Sequence, residues 1–237
     1  MTTPLQLAED ERFDLGLLRS AVRYQQWVMS GFGHALHGHV LEVGAGVGNM
    51  TRWLARAADR VVAVEPDLAM SGEIADLRLE NVEVVSLPLE DIEGRAESFD
   101  SAVLVNVLEH LEDDVGSLGI VRNLLRPGGH VCILAPAHAQ LYGSLDRRYG
   151  HLRRYRARDV AAGLRDAGFD VRFARYFNPV GAIGWFVVGR LAGRQRLSQA
   201  SIALTERVAV PAGQALERLG NPPFGQSVLA VGRRPGG

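Results

Sequence analysis

The chain has no lysine: all 26 of its basic residues are arginine. Every chemistry that needs an amine side chain is therefore excluded. A phosphate-cradling loop of the Walker type needs its lysine. Schiff-base catalysis and a lysine general base need one too. Cysteine is nearly absent as well, with Cys132 alone. One thiol makes no intramolecular disulfide, no paired-cysteine zinc site and no three-cysteine iron–sulfur cluster, and a reducing compartment is the default expectation. Cys132 lies inside the apolar run HVCILAP, which reads as core packing rather than as a nucleophile.

Long hydrophobic runs are also missing. The charge-free apolar stretch over 176–189 holds 14 residues, a proline and three glycines among them. A spanning helix needs about 20 apolar residues, so a buried or interfacial helix is expected there. The first residues, MTTPLQLAEDERFD, are polar and acidic. They lack the basic start and apolar centre of a signal peptide, and the expected location is cytoplasmic. Net charge is −1 over 237 residues, without the basic excess of a general nucleic-acid binder. The chain is 47% hydrophobic and 22% charged, which suits one large soluble domain or a domain with an appendage.

What is present is an alternation of elements. Apolar residues at three-to-four spacing predict a helix between about 10 and 36. HVLEVG (39–44), RVVAVEPD (60–67), NVEVVSL (81–87), the start of SFDSAVLVNVLEHL (98–111) and HVCILAPA (130–137) read as strands. Helices are predicted over 47–58 and 67–79, and from the fourth strand on to 125, with RPGG as a turn before the fifth strand. Near-continuous apolar strands are buried on both faces, so the sheet is expected to be mostly parallel with right-handed crossovers. A polar, arginine-rich stretch over 138–159 reads as a functional loop. A helix over 157–168, a strand over 169–177, a helical stretch over 178–225 and a last strand over 226–234 follow. The helical stretch separates two strands that a tight hairpin would otherwise join. It reads as a structural cap or homodimer face, or as a substrate lid.

The first strand turns into its helix through Leu41-Glu42-Val43-Gly44-Ala45-Gly46-Val47-Gly48-Asn49. Glycines permit a tight turn and close approach of a ligand to the main chain, and a helix N-terminus favours polar or negative groups. The second strand ends in Glu65, placed to take both hydroxyls of a ribose. A dinucleotide site would want a third glycine at position 49, where this chain has Asn49. Glu42 would also repel a pyrophosphate and welcome a cationic ligand. That points to S-adenosylmethionine.

LEVGAGVGNMT, VVAVEPD, FDSAVLVNVLEHLEDD and LLRPGGHVCILAPA, in that order, resemble the sequence blocks of the class I (Rossmann-like) S-adenosylmethionine-dependent methyltransferases. The resemblance spans about 39–177. RYQQW, LYGSLDRRYGHLRRYR and PPFGQSVLAVGRR are similar to a bacterial branch acting on small molecules. The implied fold is a doubly wound, mostly parallel, seven-stranded Rossmann-like sheet with helices on both faces. It would carry an N-terminal helical lid (1–38), a cofactor-binding core (39–177), a helical insertion (178–225) and a last core strand with its tail (226–237). The implied cofactor is S-adenosylmethionine, with S-adenosylhomocysteine as product.

The resemblance also implies site roles. Glu42 would face the methionine end. Gly44, Ala45, Gly46 and Gly48 would line the cofactor with backbone. Glu65 would bind the ribose, with Pro66 and Asp67 beside the adenine. Asn106 and Val107 would flank the methionine and sulfonium. Tyr24 and Trp27 would fold over from the N-terminal helix. The family often has an aspartate after the third strand, where this chain has Pro88. The backbone of Leu89, or the side chains of Glu90 or Asp91, would then serve the adenine.

Candidate bases for an acceptor that must lose a proton are His110, His138, His151, Tyr142 and Tyr155. His151 and Tyr155 would share a face if their segment were helical. Arg147, Arg148, Arg153, Arg154, Arg156 and Arg158 form a basic cluster, either a solvated paired face or a site for a carboxylate or phosphate on the acceptor. Glu109, Glu112, Asp113 and Asp114 read as acids of a helix start rather than as metal ligands, and no metal is expected. Trp185, Phe186 and Val187 read as core or interface. The leading reading is methyl transfer to an O, N or C atom of a small molecule, apolar, lipid-linked or anionic. A dinucleotide-dependent oxidoreductase and a cofactor-binding but non-catalytic partner subunit are the alternatives.

Overall fold

A computed structural model describes residues 12–92, 95–186 and 198–236. Seven strands form one sheet: β1 (His39–Val43), β2 (Arg60–Val64), β3 (Val82–Val85), β4 (Phe99–Val105), β5 (Leu125–Pro136), β6 (Asp170–Phe177) and β7 (Ser227–Arg233). Their spatial order is β3-β2-β1-β4-β5-β7-β6. The β1–β2, β1–β4, β2–β3 and β4–β5 pairs are parallel. β7 is antiparallel to both β5 and β6. The expected mostly parallel seven-stranded sheet, with helices on both sides, is what the chain forms.

The strand sequences explain their burial. Along β1, Leu41 and Val43 join one apolar cluster while Val40 joins another. β4 does the same, with Ala102 and Leu104 on one side and Val103 on the other. Successive side chains point to opposite faces, so a continuous apolar run feeds two cores at once. Cys132 is fully buried in the second cluster, and burial pushes its thiol far up.

The helices that shape the site are α1 (Val22–Phe32), α2 (Thr51–Ala57), α3 (Leu68–Ala75) and α4 (Asp114–Leu124). A further helical stretch covers 12–18. α1 buries Trp27, Val28 and Phe32 against Leu229 and Val231 of β7. Asp67 caps α3 by accepting from the amides of Ala69 and Met70. Asp113 caps α4 through the amide of Gly116, at 2.8 Å.

β5 begins five residues earlier than the sequence pattern predicts, and RPGG lies inside it. Two steps along β4, from Phe99 to Ser101, face five along β5, from Leu125 to His130. The extra residues bulge out at glycines. Gly128 takes φ +84°, and a Cβ on Gly129 would sit 3.0 Å from the Asp100 carbonyl.

The stretch over 138–156 is not one helix. It contains α5 (Ser144–Arg148), then an extended run bridged to Ala137 through Tyr155, before α6 (Ala157–Asp166). His151 and Tyr155 therefore do not share a helix face. Between β6 and β7 lie α7 (Pro179–Trp185), α8 (Gln199–Leu204), a π-helical turn over Thr205–Ala209 and α9 (Val210–Arg218). Val187 lies outside the described residues.

Phe177 ties this insertion to the sheet. It is fully buried at the end of β6, with Trp27 at 4.3 Å and Tyr24 at 6.2 Å between ring centroids. Phe177→Ala is expected to lower unfolding free energy by about 3–5 kcal/mol, measured as a lower urea midpoint at unchanged slope.

Candidate functional site

The site is built at the carboxyl ends of β1, β2 and β4. Gly44, Gly46 and Gly48 take φ of +64°, +57° and +79°, a region that L side chains enter only at a cost. Two of the three are crowded as well. A Cβ on Gly44 would lie 2.7 Å from Val107 Cγ2, and one on Gly48 would lie 2.8 Å from Leu77 Cδ1. The turn is closed by the amide of Gly48 donating to the Ala45 carbonyl and that of Ala45 donating to the Val64 carbonyl, each at 3.0 Å.

Glu65 holds this turn to the next strand. Its Oε2 accepts from the amide of Gly46 at 2.8 Å, and its Oε1 accepts from the amide of Asp67 at 3.0 Å. Burial raises its pKa, and the two amides oppose that rise. Each carboxylate oxygen keeps a second lone pair, so the group can still accept from a diol. Pro66 is exposed, and the Asp67 side chain is occupied as a helix cap. Leu89 is buried at the start of a 3₁₀ turn, Leu89–Asp91.

Glu42 lies within the sheet just before the turn and is only 3% exposed. Thr51 donates to its Oε2 at 2.6 Å. Burial, eased by that hydrogen bond and reinforced by the charge of Glu65, pushes its pKa up to about 8. Thr51 was not foreseen; it is the first residue of α2 on the far side of the glycines. Asn106 has φ +54° and directs its amide to the Leu134 carbonyl at 2.8 Å. It stands exposed at the carboxyl end of β4, while Val107 is buried against Gly44.

Tyr24 and Trp27 sit elsewhere than expected. Both pack against Phe177, Trp27 also faces Gly213, and the Tyr24 hydroxyl bonds to Ser227. Burial pushes that hydroxyl up to about 12. Both therefore serve the core between α1 and the β6–β7 pair. The segment that reaches the glycine turn lies earlier in the chain. Asn49 Nδ2 donates to the Leu15 carbonyl at 2.8 Å, Arg19 donates to the Val47 carbonyl at 3.3 Å, and Leu15 Cδ1 lies 3.4 Å from a Cβ built on Gly46.

The candidate bases divide into groups. His138 has φ +60°, stacks on Tyr176 at 4.5 Å, and buries an Nε2 without a partner. Burial and the nearby Arg154 and Arg156 hold its pKa down. Tyr155 bonds through its hydroxyl to the Leu108 carbonyl at 2.9 Å and to Asp114 Oδ2 at 2.8 Å. Burial and the Asp114 carboxylate push that phenol far up. It ties the loop to the turn after β4 and to the start of α4. The Tyr142 hydroxyl donates to the His151 carbonyl at 2.8 Å. His110 and His151 meet edge to face at 4.9 Å. Burial and the nearby His151 hold the His110 pKa down to about 4.

The acids and arginines around them are largely paired. Asp113 caps α4, and Asp114 lies 3.4 Å from Arg153. Arg154 is buried, donates to Asp146 at 2.7 Å, and lies over the Trp185 ring at 5.0 Å. Arg158 sits 3.5 Å from Asp159. Glu109 departs from the helix-start reading: it lies in a 3₁₀ turn ahead of α4 and is fully buried. A separate depression lined by His39, Arg60, Glu83, Arg95 and Phe99 lies at the amino ends of the strands. Ligands of open parallel sheets bind outside the carboxyl ends, so that depression is not the site.

Residues 20–172, more than half the chain, match the model of the family described as "Methyltransferase domain". The chain belongs to the class I S-adenosylmethionine-dependent methyltransferases. It is 32% identical over 100 residues to a ubiquinone biosynthesis O-methyltransferase of Methylocella silvestris, covering 38% of this chain and 36% of that one. It is also 32% identical over 99 residues to a tRNA U34 carboxymethyltransferase of Azotobacter vinelandii, covering 40% of this chain and 31% of the other. The matches thus span about a third of those relatives' lengths. Among solved structures, a Haemonchus contortus phosphoethanolamine N-methyltransferase in complex with S-adenosyl-L-methionine superposes with TM-score 0.61 at 15% identity, over 90% of this chain and 52% of that one. The cofactor of this methyltransferase is S-adenosylmethionine, and the glycine cradle with the twice-anchored Glu65 fits its ribose and methionine parts.

The buried Glu42 carries a pH signature. Its folded pKa, about 8, lies above its ordinary 4.5. Between those values the folded methyltransferase keeps a proton that the unfolded chain has released. Stability therefore falls as pH rises from 4.5 to about 8 and then levels off. Glu42→Gln should flatten that decline, read from thermal midpoints across the range. An unchanged slope would mean that Glu42 is ionised in the fold.

Proposed function

We propose that the protein transfers a methyl group from S-adenosylmethionine to an O, N or C atom of a small-molecule acceptor. The observation that carries the reading is the glycine turn locked to Glu65 beside a buried Glu42. That arrangement offers backbone and a diol acceptor at one end and, at the other, a buried carboxyl that a cationic group would ionise. A dinucleotide pyrophosphate would meet Glu42 unfavourably, whereas an α-amino group would hold it ionised.

The cofactor supplies a methyl carbon on a cationic sulfur. Glu65 takes the ribose hydroxyls, and Gly44, Ala45, Gly46 and Gly48 present backbone to the cofactor. Glu42 faces the amino group, directly or through water. Pro66, Asp67 and Leu89 border the adenine, and Asn106 and Val107 border the sulfonium. As the acceptor's lone pair forms the new bond to carbon, the carbon–sulfur bond breaks and its electrons stay on sulfur as a neutral thioether. The protein's task is alignment and exclusion of water. An acceptor hydroxyl must also lose a proton, and neutral His138 is the group that takes it.

A small acceptor is favoured over nucleic acid by the net charge of −1 and by the internal pairing of Arg153, Arg154 and Arg158. The O-methyltransferase relative supports the same direction. Two measurements test the reading. Calorimetry with S-adenosylhomocysteine should show binding that Glu65→Ala weakens at least about tenfold, which is the loss of one charge-assisted hydrogen bond. Methyl-labelled cofactor, offered with hydroxylated and amino small molecules and with unmodified tRNA, should label a small molecule. Label on the RNA alone would overturn the acceptor assignment, and binding of NADH in place of the adenosyl ligands would overturn the activity.

A further inference from the structure

Glu109 is fully buried, and among the described residues no other residue gives either carboxylate oxygen a hydrogen bond. A polar group so placed is costly unless something pairs with it. Burial raises its pKa, yet the neutral acid too is left without a hydrogen-bond partner from another residue. Two imidazoles face Glu109, with the Arg154 guanidinium and the Asp146 carboxylate also within electrostatic reach. His151 Nε2 lies 3.8 Å from Glu109 Oε1, and one ligand atom from each of Glu109, His110 and His151 lies within 4.8 Å of the others.

The second imidazole is set up to donate a lone pair. His151 Nδ1 lies 2.9 Å from Asp146 Oδ1. Asp146 also accepts from Arg154 Nε at 2.7 Å and from the amide of Gly143 at 2.8 Å. The anchored carboxylate accepts a hydrogen bond from Nδ1–H, which leaves the Nε2 lone pair toward Glu109. This is the outer-shell arrangement that orients metal-bound histidines. The backbone holds the three groups in place before any ligand arrives. The amide of Leu152 donates to the Glu109 carbonyl at 2.8 Å, and Tyr155 bonds to that of Leu108.

We propose that Glu109, His110 and His151 bind a divalent first-row transition ion. The expectation of no metal, drawn from the sequence, is thereby revised. Two imidazoles and one carboxylate suit manganese, iron, cobalt or zinc, whereas magnesium and calcium prefer oxygen ligands throughout. Ligand bonds of about 2.0–2.2 Å require the three side chains to close in from their present separations. Three protein ligands leave coordination positions open. Glu109 and His110 follow Asn106 and Val107 on the loop leaving β4, and Val107 touches the glycine turn. The open positions thus serve an acceptor oxygen, whose proton a bound cation makes easier to remove. That role rests on the methyltransferase reading; the binding itself does not.

The test is a titration of chelator-treated, full-length protein with Co²⁺, followed by visible absorption, and with Zn²⁺ and Mg²⁺ by calorimetry. The expected result is one transition ion per chain, with cobalt bands of nitrogen and oxygen coordination and far weaker magnesium binding. Glu109→Gln, close to isosteric, should abolish the bands while leaving S-adenosylhomocysteine affinity unchanged. Asp146→Asn should weaken binding about 10–100-fold. His110→Ala gives the same reading should the Gln variant fail to fold. Absence of stoichiometric binding, or binding that survives both ligand substitutions, would overturn the site. The titration needs neither acceptor nor adenosyl ligand, so failure of the methyltransferase reading leaves its outcome intact.

Discussion

The structure depends on one buried carboxylate held by two amides. Glu65 accepts from Gly46 on the turn after β1 and from Asp67 at the start of the next crossover. That tie adds an anchor at the centre of a turn whose three glycines lose more conformational freedom on folding than other residues. With it, the left-handed backbone at Gly44, Gly46 and Gly48 is fixed against the end of β2. The carboxylate that would bind a ribose is thus the same one that builds the surface around it. Strength for fold and readiness for ligand come from one group.

Most of the sheet was legible in the sequence for a simple reason. Parallel strands buried on both faces need uninterrupted apolar runs, and such runs are hard to mistake. LEVGAGVG was legible because only glycine tolerates both the positive φ and the crowding that Val107 and Leu77 impose. The β5 bulge was not, since RPGG reads equally well as a turn between elements. Tyr24 and Trp27 were misplaced because an amphipathic helix shows which residues face inward but not what they meet there. Phe177, which they do meet, lies 150 or more positions away in the chain.

The acidic stretch after β4 was the harder case. Glu109, Glu112, Asp113 and Asp114 look alike as letters, and acids favour a helix start. Only Asp113 and Asp114 do that work. Burial separates Glu109 from the others, and burial there is imposed by a loop some 40 residues later in the chain. Asp146, Arg154 and His151 act together on one side of that carboxylate. Long-range pairings of this kind leave no period in a sequence.

The same loop couples the two halves of the site. Tyr149 donates to Asp14 at 2.7 Å, and Asn49 of the glycine turn donates to the Leu15 carbonyl. The segment over 12–19 therefore touches the glycine turn with Leu15 and Arg19 and the loop bearing His151 with Asp14. Tyr155 and Leu152 close the circuit back to β4 at Leu108 and Glu109, and Val107 returns it to Gly44. Short contacts thus join the glycine turn to the loop bearing His151. A framework continuous from one to the other suits an enzyme that must bring two substrates into line before excluding water.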